Sequence, residues 1–167
     1  MKTLVLHPKD LSTDFLSKIY IDKDWNIITN INISKKDLII NIKNNDRIIM
    51  LGHGTSEGLL AGERLIIDSN LVYLLRNKEC ICIWCYAKNF FDKYKLKGFA
   101  TGMIISEVLE ADFCGIINAG IDSVNESNNL FSETIKKNID EPEFVKKLKE
   151  EYKSEINPII KFNQENI

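Results

Sequence analysis

Short and almost wholly apolar runs, separated by polar stretches with helical spacing, dominate the pattern along this chain. Lys2 to His7, Arg47 to Leu51 and Cys80 to Trp84 are continuous in their hydrophobicity rather than alternating. A strand covered on one face alternates between apolar and polar residues. Runs without alternation are expected where helices cover both faces of a parallel sheet. Asn26 to Ile33 is β-branched enough to read as a further strand, and Gly98 to Met103 reads as either a short strand or a loop with two glycine hinges.

Helices are predicted between these runs. Asp10 has the character of an N-cap for a helix carrying Leu11, Phe15 and Ile19 on one face. Ser34-Lys35-Lys36-Asp37 has the spacing of a capping box before Leu38, Ile39 and Ile42, and Ser69 can cap a helix through Leu75. Glu57 to Asp68 forms two apolar arms around a glycine-containing turn, the signature of a hairpin. Later helices are expected over Ser106 to Phe113, after a second capping-box spacing at Ser123-Val124-Asn125-Glu126, and from Pro142 with Phe144, Val145, Leu148, Tyr152 and Ile156 along one stripe. The order is that of an α/β fold: a three-layer sandwich with a mostly parallel sheet flanked by helices. One domain is expected over residues 1–157, with 158–167 as a tail.

Composition narrows the function classes. The chain has 167 residues, 44% hydrophobic and 28% charged, enough for one full core. A formal charge of −2 with both signs represented leaves no electrostatic footprint for a nucleic-acid partner. No apolar run approaches the roughly 20 residues of a membrane span, and the one after Lys2 is too short for a signal peptide before Pro8 closes it. A cytoplasmic location is therefore expected, with the four cysteines as thiols. Richness in Ile, Asn and Lys hints at a low-GC genome, bacterial or viral.

Candidate chemistry lies just beyond two of the apolar runs. Gly52-His53-Gly54 follows the strand ending at Leu51, and Cys85 follows the one ending at Trp84. In doubly wound sheets the active site sits outside the carboxyl ends of the strands. A thiol beside an imidazole is the minimum equipment of a cysteine nucleophile, because the base raises the thiolate fraction and later protonates the leaving group. His53 and Cys85 are the catalytic candidates. The backbone N–H groups of Gly54 and Cys85 are candidates for an oxyanion hole, each donor worth about 3 kcal/mol at a transition state.

Plainer readings stand beside these. His53 can be a loop histidine satisfied by backbone groups, and cysteine often behaves as a small buried apolar side chain. That description suits Cys80 and Cys82, which share one face with Trp84, and Cys114 at a helix end. His7, at another strand end before Pro8, is a spare histidine more suited to a structural role. Cys80, Cys82, Cys85 and His53 are also the ligand types of a Cys₃His zinc site, but two of them sit mid-strand and point sideways into a helix layer. Gly52-His53-Gly54 matches no phosphate loop or dinucleotide fingerprint.

The apolar strand followed by His53-Gly54, and the later apolar strand followed by Cys85, resemble the caspase-like cysteine peptidases of clan CD, which include caspases, metacaspases, legumains, gingipains and clostripain. The resemblance implies a caspase-like α/β sandwich, a His53–Cys85 dyad, a peptide or protein substrate cleaved after one preferred side chain, and no required cofactor. Calcium dependence occurs in parts of that group. The resemblance places one wall of the first specificity pocket on Lys97 to Glu107, with Thr101, Gly102 and Glu107 as substrate-binding candidates. Glu107, Glu110 and Asp112 would make the pocket acidic; alternatively they are solvent-facing helix carboxylates. A caspase-like fold kept as an inactive binding or signalling module is the alternative to an enzyme.

Overall fold

The computed structural model describes residues 1–167. The chain divides into two compact units: Met1–Leu11 with Lys23–Met103, and Ser12–Asp22 with Ile104–Ile167.

The first unit is built on β1 (Thr3–Leu6), β2 (Asn26–Ile28), β3 (Arg47–Leu51), β7 (Glu79–Ile83) and β8 (Lys97–Ala100), which form a five-stranded sheet in the order β2-β1-β3-β7-β8. Every pairing is parallel. A smaller antiparallel sheet holds β4 (Gly54–Thr55), β5 (Gly58–Ala61) and β6 (Arg64–Ile67). The helices are α1 (Lys35–Lys43), α2 (Val72–Leu75) and α3 (Ala87–Tyr94). This is the α/β class expected from the unalternating apolar runs.

Alternate strand positions explain those runs. Leu4, Leu6, Ile48, Met50, Cys80, Cys82 and Trp84 pack in one cluster with Leu38 and Ile42 of α1, Val72 and Leu75 of α2, and Ala87 and Phe90 of α3. The intervening Val5, Ile49, Leu51, Ile81 and Ile83 are equally buried. With both faces of each central strand shielded from water, no position in them tolerates a polar side chain without a partner. α1 starts as the spacing predicts, the Ser34 hydroxyl accepting from the Asp37 N–H at 3.1 Å. β8 makes the first half of the ambiguous Gly98–Met103 stretch a strand and leaves Thr101–Met103 as loop, and Gly98 is needed there. Its φ is +123°, and a Cβ would overlap the Cys80 carbonyl oxygen of β7.

The second unit is helical: a 3₁₀ turn over Asp14–Ile19, then α4 (Val108–Phe113), α5 (Ile121–Asn138), α6 (Phe144–Glu151) and α7 (Pro158–Glu165). α5 packs against the 3₁₀ turn, α6 and α7. A buried polar network joins them. The Asn163 side chain accepts from the Ile105 N–H at 2.7 Å, donates back to the Ile105 carbonyl at 2.9 Å, and donates to the Ser127 hydroxyl, which bonds the Tyr152 hydroxyl at 2.8 Å. Such a network is stabilising because each of its members is satisfied.

Several expectations change. Residues 158–165, read as part of a tail, are a helix capped by Asn157 with Ile159 and Ile160 fully buried. Asp10 caps no helix: the 3₁₀ turn begins at Asp14, and Leu11 is exposed. The strand expected to Ile33 stops at Ile28. Ser123 lies inside α5, which starts after Gly120, and Glu126 bonds Asn157 rather than closing a capping box.

Burial makes the fold sensitive to alkali. Desolvation pushes the Cys80 thiol from 9.0 up to about 12, and pushes the Cys82 thiol well above its ordinary value. Burial likewise raises Tyr152 from 10.0 to about 12. Because the folded chain holds these protons where the unfolded chain releases them, stability is complete below pH 9 and falls as pH rises from there towards 12. Each such group contributes about 1.4 kcal/mol per pH unit within its window. Chemical denaturation followed by circular dichroism should show a flat midpoint from pH 7 to 8.5 and a steep decline above 9, with a shallower decline in Cys82→Ala.

Candidate active site

β3 and β7 are neighbours in register, with Leu51 opposite Ile83. The Gly52 N–H donates to the Ile83 carbonyl at 3.1 Å, carrying the ladder one rung beyond the paired residues. His53 and Cys85 each lie two residues past that last pair. They therefore leave the same edge of two adjacent strands, whose spacing in any sheet is about 4.8 Å.

Gly52 makes the exit possible. Its φ of +133° is a conformation that L side chains rarely adopt. The backbone of His53 is then held by β5, its carbonyl accepting from the Leu60 N–H at 2.9 Å. Gly54 opens β4 directly against Trp84, so that a Cβ there would overlap the indole ring. The Trp84 Nε1–H donates to the Thr55 carbonyl at 3.0 Å. The segment carrying His53 is thereby fastened to the residue preceding Cys85.

His53 has a partner that sequence reasoning assigned elsewhere. Its Nε2 lies 3.0 Å from Asp10 Oδ2, with the two side chains 37% and 47% exposed. A carboxylate on one ring nitrogen fixes the orientation of the imidazole and assigns proton exchange to the other nitrogen, here Nδ1. Exposure keeps the attraction itself to about 1 kcal/mol or less, so orientation is the larger contribution. Asp10 follows β1, which neighbours β3 on the side away from β7. The loops after β1, β3 and β7 therefore meet at one rim. The signal in the sequence was an acidic residue four positions past a strand end, indistinguishable there from a helix cap.

Cys85 sits on a sharp strand-to-helix turn. Tyr86 has φ 66°, a left-handed conformation uncommon outside glycine, and α3 begins at the next residue. Three N–H groups after the thiol are committed to the scaffold: Tyr86 to the Gly102 carbonyl at 3.0 Å, Ala87 to that of Trp84 at 3.2 Å, and Lys88 to that of Thr101 at 2.8 Å. The N-terminal end of α3 carries positive partial charge, which favours an anion in this position. Cys80 and Cys82 are fully buried and held protonated, and desolvation with Glu110 nearby raises Cys114.

The remaining candidates are placed differently. Thr101 is fully buried and its hydroxyl donates to the Trp84 carbonyl at 3.0 Å, so it supports the turn under Cys85 rather than lining a pocket. Gly102 supports the same turn through its carbonyl. Glu107 belongs to the second unit, at the N-cap of α4, where its N–H donates to Glu110 Oε2 at 3.2 Å. Glu110 is thus occupied as a helix cap. His7 is fully buried beneath Gly52, its Cδ2 within 3.9 Å of the position a Cβ would take there.

No three His, Cys, Asp or Glu side chains gather as a metal-ligand group, so the four residues of the Cys₃His reading are not assembled around one point. No helix is long and apolar enough to cross a membrane. Comparison with protein-family models, with curated proteins and with solved structures found no match.

Proposed function

We propose that this protein is a caspase-like cysteine hydrolase, an endopeptidase acting on a peptide or protein, with Cys85 as nucleophile and His53 as its acid–base partner. One observation carries the reading. A histidine oriented by a carboxylate at 3.0 Å leaves the sheet at the same rung as a partly exposed cysteine on a strained turn. Perturbed or strained groups gathered at the carboxyl rim of a parallel sheet are where such folds do chemistry.

In this mechanism His53 Nδ1 takes the thiol proton, and Cys85 Sγ forms a bond to the scissile carbonyl carbon. The resulting oxyanion is met by the N–H groups of Cys85 and Gly54. Collapse of the intermediate breaks the C–N bond, and the proton on His53 passes to the departing amine. Water, deprotonated by the same imidazole, then attacks the thioester, and the acid product leaves with the thiol restored. Asp10 holds the ring throughout and touches no substrate. None of the four cysteines is in a disulfide, which fits a reducing compartment and with it the cytoplasm.

A peptide library incubated with the wild type and with Cys85→Ala provides the test. Cleavage by the wild type after a restricted set of side chains, absent in the variant, is the expected result. A library left intact by the wild type, with all accessible thiols alkylating alike, would instead indicate a caspase-like binding module without activity.

A further inference from the structure

The second unit carries a surface that the proposed chemistry does not use. Leu109 and Phe113, one turn apart on α4, are 80% and 94% exposed, and Ile117 just beyond is 76% exposed. α4 is not frayed into this position. Glu110 Oε2 closes its N-terminus, accepting from the Ser106 N–H at 2.7 Å and the Glu107 N–H at 3.2 Å. At its other end the Gly115 N–H donates to the Asp112 carbonyl and the Ile116 N–H to that of Ala111, with Gly115 at φ +78°. That pair of bonds is the Schellman arrangement. Ala111 and Ile116 meanwhile pack into a core cluster with Ile105, Val124 and Ile159. One side of α4 is therefore anchored, and its opposite side presents Leu109 and Phe113 to water, with Ile117 exposed in the turn that follows the helix. Exposed apolar patches of about 300 to 600 Å² on a monomer are commonly functional.

Charge indicates what covers it. No Lys or Arg occurs between Gly98 and Ile135, whereas the same stretch contains Glu107, Glu110, Asp112, Asp122, Glu126 and Glu133. Since the whole chain carries only −2, the remainder is net basic. Of these carboxylates, Glu107 and Asp112 are exposed on α4 and its cap, beside Leu109 and Phe113. An anionic lipid surface or a nucleic-acid backbone would be repelled here. We infer that the Leu109–Phe113 face of α4 is a docking site for a basic amphipathic segment of a partner protein, its apolar stripe covering Leu109 and Phe113 and its Lys or Arg side chains meeting Glu107 and Asp112.

The probe is a fluorescent 14-residue amphipathic peptide of Leu and Lys, compared by anisotropy with its Leu and Glu counterpart on the full chain. The Lys peptide should bind in the micromolar range and weaken as salt rises, while the Glu peptide should not bind. The double variant Leu109→Ser, Phe113→Ser should lose at least tenfold in affinity with an unchanged unfolding midpoint, because both side chains are already in water. Glu107→Gln with Asp112→Asn should flatten the salt dependence. Equal binding of both peptides, or affinity unmoved by the double variant, overturns the proposal. So does concentration-dependent self-association that the double variant abolishes, which would make a second copy of this chain the occupant.

Discussion

Replacing His53 with alanine should slow alkylation of Cys85 by an acyloxymethyl-ketone probe by about 100-fold, the lower end of what a positioned acid–base group supplies. His53 and Cys85 leave one sheet edge at the same rung, with Gly52 turning the chain outward and Trp84 fastening the two segments together. Asp10→Asn keeps the size of the carboxylate and removes its charge. Since that pair is substantially exposed, its loss should cost about 1 kcal/mol, or roughly fivefold in rate. The graded order, wild type then Asp10→Asn then His53→Ala, is the signature of an orienting group behind an acid–base group. The measurement is the second-order rate constant at each thiol, read by mass spectrometry of the labelled peptides. Cys114 serves as the internal control and should not respond to either change, while Cys80 and Cys82 should stay unlabelled until the protein unfolds. Indifference of the Cys85 rate to His53→Ala would remove the dyad.

Gly54→Ala should destabilise the protein by about 3 kcal/mol and lower the reactivity of Cys85 at the same time. A Cβ at this position has nowhere to go: the Trp84 ring lies on one side and the Gly58 carbonyl oxygen on the other. Trp84 is 2% exposed and its ring N–H is bonded to Thr55, so the indole cannot shift without opening a cavity and leaving a buried donor unmet. Overpacking of this kind costs about 1 to 3 kcal/mol, and an unsatisfied buried donor about as much again. For a chain of this length the thermal midpoint should drop by roughly 6 to 12 °C. Gly62→Ala is the matched comparison. There the φ is +59° but no atom lies within 4 Å of the added carbon, so only the left-handed backbone is penalised, at about 1 kcal/mol. Similar losses for the two variants would mean that Trp84 does not constrain the rim.

The central strands β1, β3 and β7 were legible because covering both sheet faces demands apolar residues at successive positions, a local pattern that the exposed edge strands β2 and β8 lack. Ser34 was legible as a cap for the same reason: its bond partner is three residues away. Ser123 had the same spacing and no such role, since Gly120 starts the helix earlier and Glu126 finds Asn157 in α7. A capping motif is a statement about neighbours in the chain, and it fails where a partner distant in sequence competes for the side chain.

From residue order alone came the β-α alternation, the placement of His53 and Cys85 just past two strand ends, and the separation of core thiols from the one past the strand. Each of these depends on side-chain periodicity within a few residues. Only the tertiary structure could decide that β1 lies beside β3, that Asp10 is spent on His53 rather than on a helix, that Thr101 braces a turn from inside, and that the last helix is core rather than tail. Those outcomes depend on which strands pair and which faces meet. Contacts between residues tens of positions apart leave no periodic trace in the chain that makes them.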